Sequence, residues 1–241
     1  MPASPALPAT PREKRRYVRA MFSDVAPRYD LLNRLLSLNV DRSWRAKAIE
    51  RLGWEARPDG VYLDACAGTL DLARALAWRP GFRGRVVATD FALPMLRLGK
   101  GKLIREPVHT AAADTLELPM ADGTFDGALV GFGVRNLADL PTGLIELARI
   151  LKPGARLVVL DFATPRPRLM RALYLFYFRR VLPVVGRLVS GHPTAYTYLP
   201  ESVMSFPDPE SLTRAFQAAG LRDVGYHLLT GGIAAVSWGT K

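Results

Sequence analysis

From residue 60 onward, short apolar runs alternate with amphipathic stretches. VYLDA (61–65), RVVATD (85–90), VHTAA (108–112), FDGALVG (125–131), RLVVLDF (156–162), VGYHLLT (224–230) and IAAVSWG (233–239) read as strands. Between most of them lie helical stretches: DLARALAWR (71–79), PMLRLGKGKL (94–103), LPTGLIELARIL (140–151) and PESLTRAFQAA (209–219). That alternation predicts an α/β fold, a parallel sheet with helices on both faces. Asp208-Pro209 predicts the start of the last helix, and Gly220 its stop. Only Gly231-Gly232 separates the final two strands, so they should pair as a hairpin, with one antiparallel strand closing the sheet.

Two segments break the alternation. Residues 12–52 predict two or three helices ahead of the first strand, and residues 166–207 form a long insertion between the fifth and sixth strands. The insertion contains LYLFYF (173–178). It cannot span a membrane, because Arg179, Arg180 and Pro183 interrupt it before about 18 apolar residues accumulate. An interfacial helix, the lid of a hydrophobic pocket and an ordinary buried helix all fit it. The Pro/Ala-rich start predicts a disordered tail over 1–11, followed by a single domain over 12–241.

Composition narrows the class. The 241 residues are 49% hydrophobic, enough for one large core. A single cysteine, Cys66, excludes a disulfide framework and fits a reducing, cytoplasmic compartment. Without CxxC or HExxH, and with three histidines, no metal cluster is expected. The net charge of +11 is uneven: eleven Lys/Arg face five Asp/Glu over 12–51, and six Arg face no acid over 162–200. Two basic flanks around a balanced middle suit an anionic membrane surface or nucleic acid, with scattered solubility charge as the plain alternative. Nucleic acid is disfavoured, because the aromatics cluster in an apolar run instead of interleaving with the basic residues.

The stretch LDACAGTLDLA (63–73) runs from strand to helix through a tight turn. Laid on it, G-x-G-x-x-G matches only Gly68, and no GK[ST] follows, so NAD and ATP fit poorly. Acids stand instead at successive strand ends. Asp64 closes the first strand, Asp90 the second, and Asp114 follows the third, with Ala67-Gly68-Thr69 between the first two. A carboxylate after the second strand suits ribose hydroxyls, and one after the third can reach an adenine amine. Such acids repel a pyrophosphate and favour a cofactor with a cationic reactive end, which points to S-adenosyl-L-methionine. Each acid alone could equally cap a helix or shape a turn.

Four blocks carry a wider resemblance: MFSDVAPRYDLLNRLLSLNVDRSW (21–44), LPMADGTFDGALVGFGVRNLAD (118–139), ARILKPGARLVVLDF (148–162) and AYTYLPESVMSFPD (195–208). They resemble the ubiquinone/menaquinone biosynthesis C-methyltransferases, a family of class I S-adenosylmethionine-dependent methyltransferases. The likeness covers nearly the whole chain. It implies a Rossmann-like, seven-stranded, mostly parallel sheet with an antiparallel last strand. It further implies that Thr69, Asp90, Asp114 and Thr115 contact the cofactor beside Gly131, in addition to Asp64 and Gly68 of the turn. The chain departs from the family pattern at Leu70, where a glycine is usual, and at Asp41, where His is usual. A side chain at Leu70 is expected to crowd the methionine end or push the following helix outward. That leaves open a non-catalytic or weakly cofactor-binding relative, and a methyltransferase of another lipid.

The implied reaction places a methyl on a ring carbon of a polyprenyl quinol, with demethylmenaquinol the favoured acceptor. The site must then hold a phenolic oxygen and favour its ionisation. Arg135 and Asn136, following the fourth strand, are placed to stabilise and orient a phenolate. Asp41 or a bound water takes the proton, and Tyr196 and Tyr198 line the pocket. The isoprenoid tail calls for peripheral attachment to the inner face of a membrane, which the basic flanks and aromatic insertion would serve. The reading also allows a homodimer.

Overall fold

The computed structural model describes residues 10–37, 39–103, 106–181 and 195–241. Residues 1–9 of the expected tail lie outside the described residues. Thr10 begins the first helix with a reciprocal cap: its hydroxyl accepts from the Glu13 N–H, and the Glu13 carboxylate accepts from the Thr10 N–H. Helix α1 (Pro11–Ser37) is followed by α2 (Asp41–Leu52), which stops at Gly53 in the left-handed conformation, φ 71°.

The seven strands are β1 (Val61–Ala65), β2 (Arg85–Asp90), β3 (Val108–Ala112), β4 (Phe125–Gly131), β5 (Leu151–Phe162), β6 (Arg222–Leu229) and β7 (Ala234–Thr240). They form one sheet in the order β3-β2-β1-β4-β5-β7-β6. β1 to β5 pair in parallel, and β7 runs antiparallel to both β5 and β6. The hairpin turn is Thr230–Gly232, with Gly231 and Gly232 at φ 66° and 94°. β5 starts earlier than its apolar run, because Leu151 already pairs with Phe125 ahead of the Lys152-Pro153-Gly154 irregularity.

Helices α3 (Asp71–Ala77), α4 (Leu93–Lys100), α5 (Leu140–Arg149) and α8 (Pro209–Ala218) fill the crossovers, as the alternation implies. Asp139 and Asp208 cap α5 and α8 by accepting from Thr142 N–H and Ser211 N–H. Successive residues of β1 feed opposite cores. Tyr62 joins α2 and α3 (Trp44, Ile49, Leu72, Leu76), whereas Leu63 and Ala65 join α5 and α8 (Leu144, Leu147, Leu212, Phe216). Both sheet faces are therefore covered, the condition for a parallel sheet.

The insertion supplies α6 (Arg168–Phe176), a π turn (Tyr177–Val181) and α7 (Ala195–Ser205). With Val18, Met21 and Val25 of α1 they build a third cluster, in which Tyr174, Phe178, Tyr198 and Val203 are buried. Phe91 and Phe162, at the carboxyl ends of β2 and β5, pack against it, so this aromatic cap sits over the carboxyl edge of the sheet.

Candidate active site

Strand order reverses between β1 and β4, and a crevice opens at that point, outside the carboxyl ends of the strands. The turn after β1 forms its floor. Cys66, Gly68 and Leu70 all take left-handed φ values (52°, 53°, 68°), which pulls the chain back so that the Ala67 N–H reaches Thr89 O at 2.9 Å. Asp90 then clamps the turn. Its Oδ2 accepts from Gly68 N–H (2.9 Å) and its Oδ1 from Ala92 N–H (2.8 Å). Burial pushes its carboxyl above the usual range, and those N–H groups pull it back. Asp64 lies deeper. Its Oδ2 accepts from Ala73 N–H at 2.8 Å, its Oδ1 has no partner among the described residues, and burial pushes its carboxyl up to about 7.

Leu70 does not crowd the cleft. Its side chain is fully buried in the core on the α2–α3 side and is absent from the cleft wall. Gly99 of α4 makes the room: a Cβ there would lie 2.5 Å from Leu70 Cγ. The expectation that Leu70 crowds the methionine end is thus corrected. The side chain follows its left-handed backbone into the core, where the missing side chain at Gly99 receives it.

The cleft is open to solvent on one side, and its empty space of about 620 Å³ includes that open part. It brings together Gly68, Asp90, Asp114, Thr115, Gly131 and Asn136. Four other expected residues stand behind its surface. Asp64 lies under the turn, and the Thr69 hydroxyl donates to Asp30 at 2.6 Å. Arg135 pairs with buried Asp161 (Nη1 to Oδ1, 2.7 Å) and also donates to Phe132 O. Asp41 accepts from the Ser37 hydroxyl on one oxygen and faces Arg45 on the other, so both oxygens are engaged away from the cleft. Tyr198 is buried and donates to Asn136 Oδ1 at 3.2 Å, while the side chain of Tyr196 lies outside the described residues.

Helix α1 covers the cleft, a role the sequence pattern did not disclose. Phe22 and Tyr29 line it, and Arg15 reaches Asp114 at 2.5 Å. Lys14 Nζ donates to the carbonyls of Arg135 and Leu137, and Asp30 pairs with Lys102 beside the turn. Helical periodicity gives no hint of which sheet edge a helix will cross. Asp161 was overlooked although it shares the signal that found Asp64 and Asp90, an acid at the end of an apolar strand.

The lip of the cleft suits the expected cofactor. Asp90 and Asp114 offer carboxylate acceptors for ribose hydroxyls and an amine, and Gly68 and Gly131 keep the wall low. Asp90→Ala should weaken S-adenosylmethionine binding by about 1.5–3 kcal/mol, the worth of a hydrogen bond to a charged group. Hydroxyls donate to the ionised carboxylate. Affinity should therefore hold above the Asp90 pKa and fall as pH drops through it, from above the ordinary carboxylate range. Calorimetry across pH checks both. An Asp90→Ala variant with unchanged affinity would remove Asp90 from the cofactor site.

Known proteins place this geometry. A "Ubiquinone/menaquinone biosynthesis C-methyltransferase UbiE" of Geobacter sulfurreducens is 43% identical over 95% of this chain and 90% of its own length. A "Demethylmenaquinone methyltransferase" of Thermus thermophilus is 48% identical over 92% of this chain and the whole of its own. Among solved structures, a SAM-dependent methyltransferase of Thermotoga maritima has a TM-score of 0.66 at 19% identity, over 92% of this chain and 98% of that one. The cyclase SpnF has 0.69 at 15% identity, over 98% of each chain. These structures share the fold alone, and a cyclase among them shows that the fold does not fix the reaction. The family model described as "ubiE/COQ5 methyltransferase family" matches residues 10–241, and the chain belongs to that family.

Proposed function

We infer that the protein transfers a methyl group from S-adenosylmethionine to a ring carbon of a polyprenyl quinol, converting demethylmenaquinol to menaquinol. The observation that carries this reading is the continuity of the cofactor cleft with the aromatic cap. Phe22, Tyr29 and Phe91 line the cleft and also pack on the cap built by α1, α6 and α7. A flat aromatic acceptor with an apolar tail would lie against those rings, at the side of the cleft that meets the cap. The names of the relatives point to the same substrate class. Deleting the gene should leave cells with demethylmenaquinone in place of menaquinone. An unchanged quinone profile would contradict the reading.

When bound, the cofactor supplies an electrophilic methyl on a sulfonium. The protein's residues do the rest. Asp90 and Asp114 hold the nucleoside, and Gly68 and Gly131 admit it closely. Arg135 stabilises the phenolate that makes the ring carbon nucleophilic, and Asn136, oriented by Tyr198, fixes the ring oxygen. Asp41 does not line the cleft; its part is to hold Arg45, whose guanidinium lies 5.4 Å from the Phe132 ring centroid on the cleft wall. The phenolic proton passes to solvent as the quinol enters, and after methyl transfer the ring C–H proton lost on rearomatisation restores the phenol. The α1 cover keeps water from the reacting centre.

The substrate's tail requires a lipid surface, and α6 offers one. Leu169, Leu173 and Phe176 form an exposed stripe (76%, 59% and 63%), while Tyr174 turns inward to the cap. Arg166, Arg168, Arg171 and Arg180 are exposed beside it, whereas Arg187 and the Arg179 side chain lie outside the described residues. Among the described residues no helix is long and apolar enough to cross a membrane. We place α6 in the interface of an anionic membrane. Each surface-proximal arginine contributes about 1 kcal/mol, so replacing Arg168, Arg171 and Arg180 by Gln should weaken vesicle binding by about 100-fold. Binding should also fall with salt. Equal sedimentation with neutral and anionic vesicles, or with neither, would contradict this attachment.

A further inference from the structure

Behind the wall that Phe132 and Asn136 give the cleft, two buried donors have no acceptor among the described residues. Arg135 spends Nη1 on Asp161 and Phe132 O, but its Nε has no hydrogen-bond partner. The Tyr174 hydroxyl has none either, although only 5% of that residue is exposed. Buried donors in native structures are usually paired with protein, water or a bound ligand.

The two belong to one neighbourhood. Tyr174 extends from α6 into the cap, where its ring packs on Phe178 with centroids 4.3 Å apart. Phe178 packs in turn on Phe162, with centroids 5.7 Å apart, and the Arg135 guanidinium lies 5.3 Å from the Phe162 centroid, so one aromatic stack links the Tyr174 ring to Arg135. Burial raises the Tyr174 phenol well above its ordinary value, so it stays protonated and acts as a donor throughout the working pH range.

We propose that the Tyr174 hydroxyl and Arg135 Nε together receive one ring oxygen of the quinol, which makes Tyr174 a further catalytic residue. This rests on the quinol reading above. An oxygen that loses its proton to solvent can accept both hydrogen bonds, and each strengthens as negative charge builds on it. The cap supplies aromatic rings to hold the quinol ring, and Arg135 supplies a buried cation beside the donors.

Tyr174→Phe is the test. It keeps the ring against Phe178 and removes only the unpaired hydroxyl, so the melting temperature should hold or rise. Turnover on demethylmenaquinol should fall about 10- to 100-fold, somewhat less than for a fully preorganised oxyanion donor, with cofactor affinity within about twofold. Bound 1-naphthol gives a second readout: its ionisation, followed by fluorescence, should need about one pH unit more in the variant, a tenfold change. Wild-type turnover and an unshifted naphthol titration would overturn the proposal. So would a fall in melting temperature with activity lost in step. If the wild-type chain methylates no quinol, the functional reading fails, and the naphthol titration alone decides the donor pair.

Discussion

The paired variant Arg135→Gln/Asp161→Asn should fold normally and lose about 10²–10³-fold in turnover, the range for removing a preorganised charge-stabilising donor. The pairing matters because Arg135 has two jobs. Its side chain is 7% exposed and that of Asp161 is 3% exposed, 2.7 Å apart. Removing Arg135 alone would strand a buried carboxylate, at about 3–5 kcal/mol, and confuse instability with lost chemistry. Replacing both keeps a neutral hydrogen bond and deletes the cation. If the cation acts on developing phenolate charge, its loss belongs to the transition state, and cofactor affinity should stay within about threefold. Arg135→Lys should keep the pair with Asp161 but recover little turnover, since an ammonium lacks the planar fork and its Nε. A folded paired variant with near-normal turnover would mean that Arg135 is only a structural strut.

Leu70 and Gly99 should behave as one unit. Gly99→Ala places a methyl 2.5 Å from Leu70 Cγ and 2.7 Å from the Thr69 carbonyl carbon. Neither the buried leucine nor that backbone can yield cheaply, so a loss of about 2–3 kcal/mol is expected, at the upper end for overpacking. Leu70→Gly relieves a left-handed φ that costs a non-glycine residue about 1–2 kcal/mol. It also empties a site where a lost leucine costs about 2–5 kcal/mol. The net is a destabilisation, with cofactor binding unchanged because the side chain never faced the cleft. In Leu70→Gly/Gly99→Ala the added methyl enters the vacated space, and the two losses should fall short of additive by about 1–2 kcal/mol. Denaturant unfolding of the four proteins measures this. Strict additivity, or cofactor binding tightened by Leu70→Gly, would contradict the packing described.

Much of the sheet was legible for a simple reason. Strands 61–65, 85–90, 108–112 and 125–131 are short, mostly apolar runs with Gly, Pro or a charged residue at or next to one end, and the structure keeps their limits. The hairpin followed from two adjacent glycines. Helix α3 ends two residues short of its apolar pattern, where Trp78 turns out to solvent, 61% exposed. The acids at strand ends were legible as a set, although each also does the bland work once set against it. Asp64 accepts from Ala73 N–H, Asp90 from Ala92 N–H, and Asp114 from Leu116 N–H. What stayed hidden depends on tertiary placement. Nothing in the spacing of Arg15, Phe22 and Tyr29 says that α1 lies across the cleft. Nor does sequence say which way a left-handed leucine will point, since that is set by the space at a glycine 29 residues away.

The most direct measurement gives the purified protein demethylmenaquinol in anionic vesicles together with methyl-labelled S-adenosylmethionine. The label should appear on the ring fragment of menaquinol, and transfer should fail when Asp90 is replaced by Ala at limiting cofactor. Cofactor that binds normally with no label reaching the quinol ring would contradict the assignment.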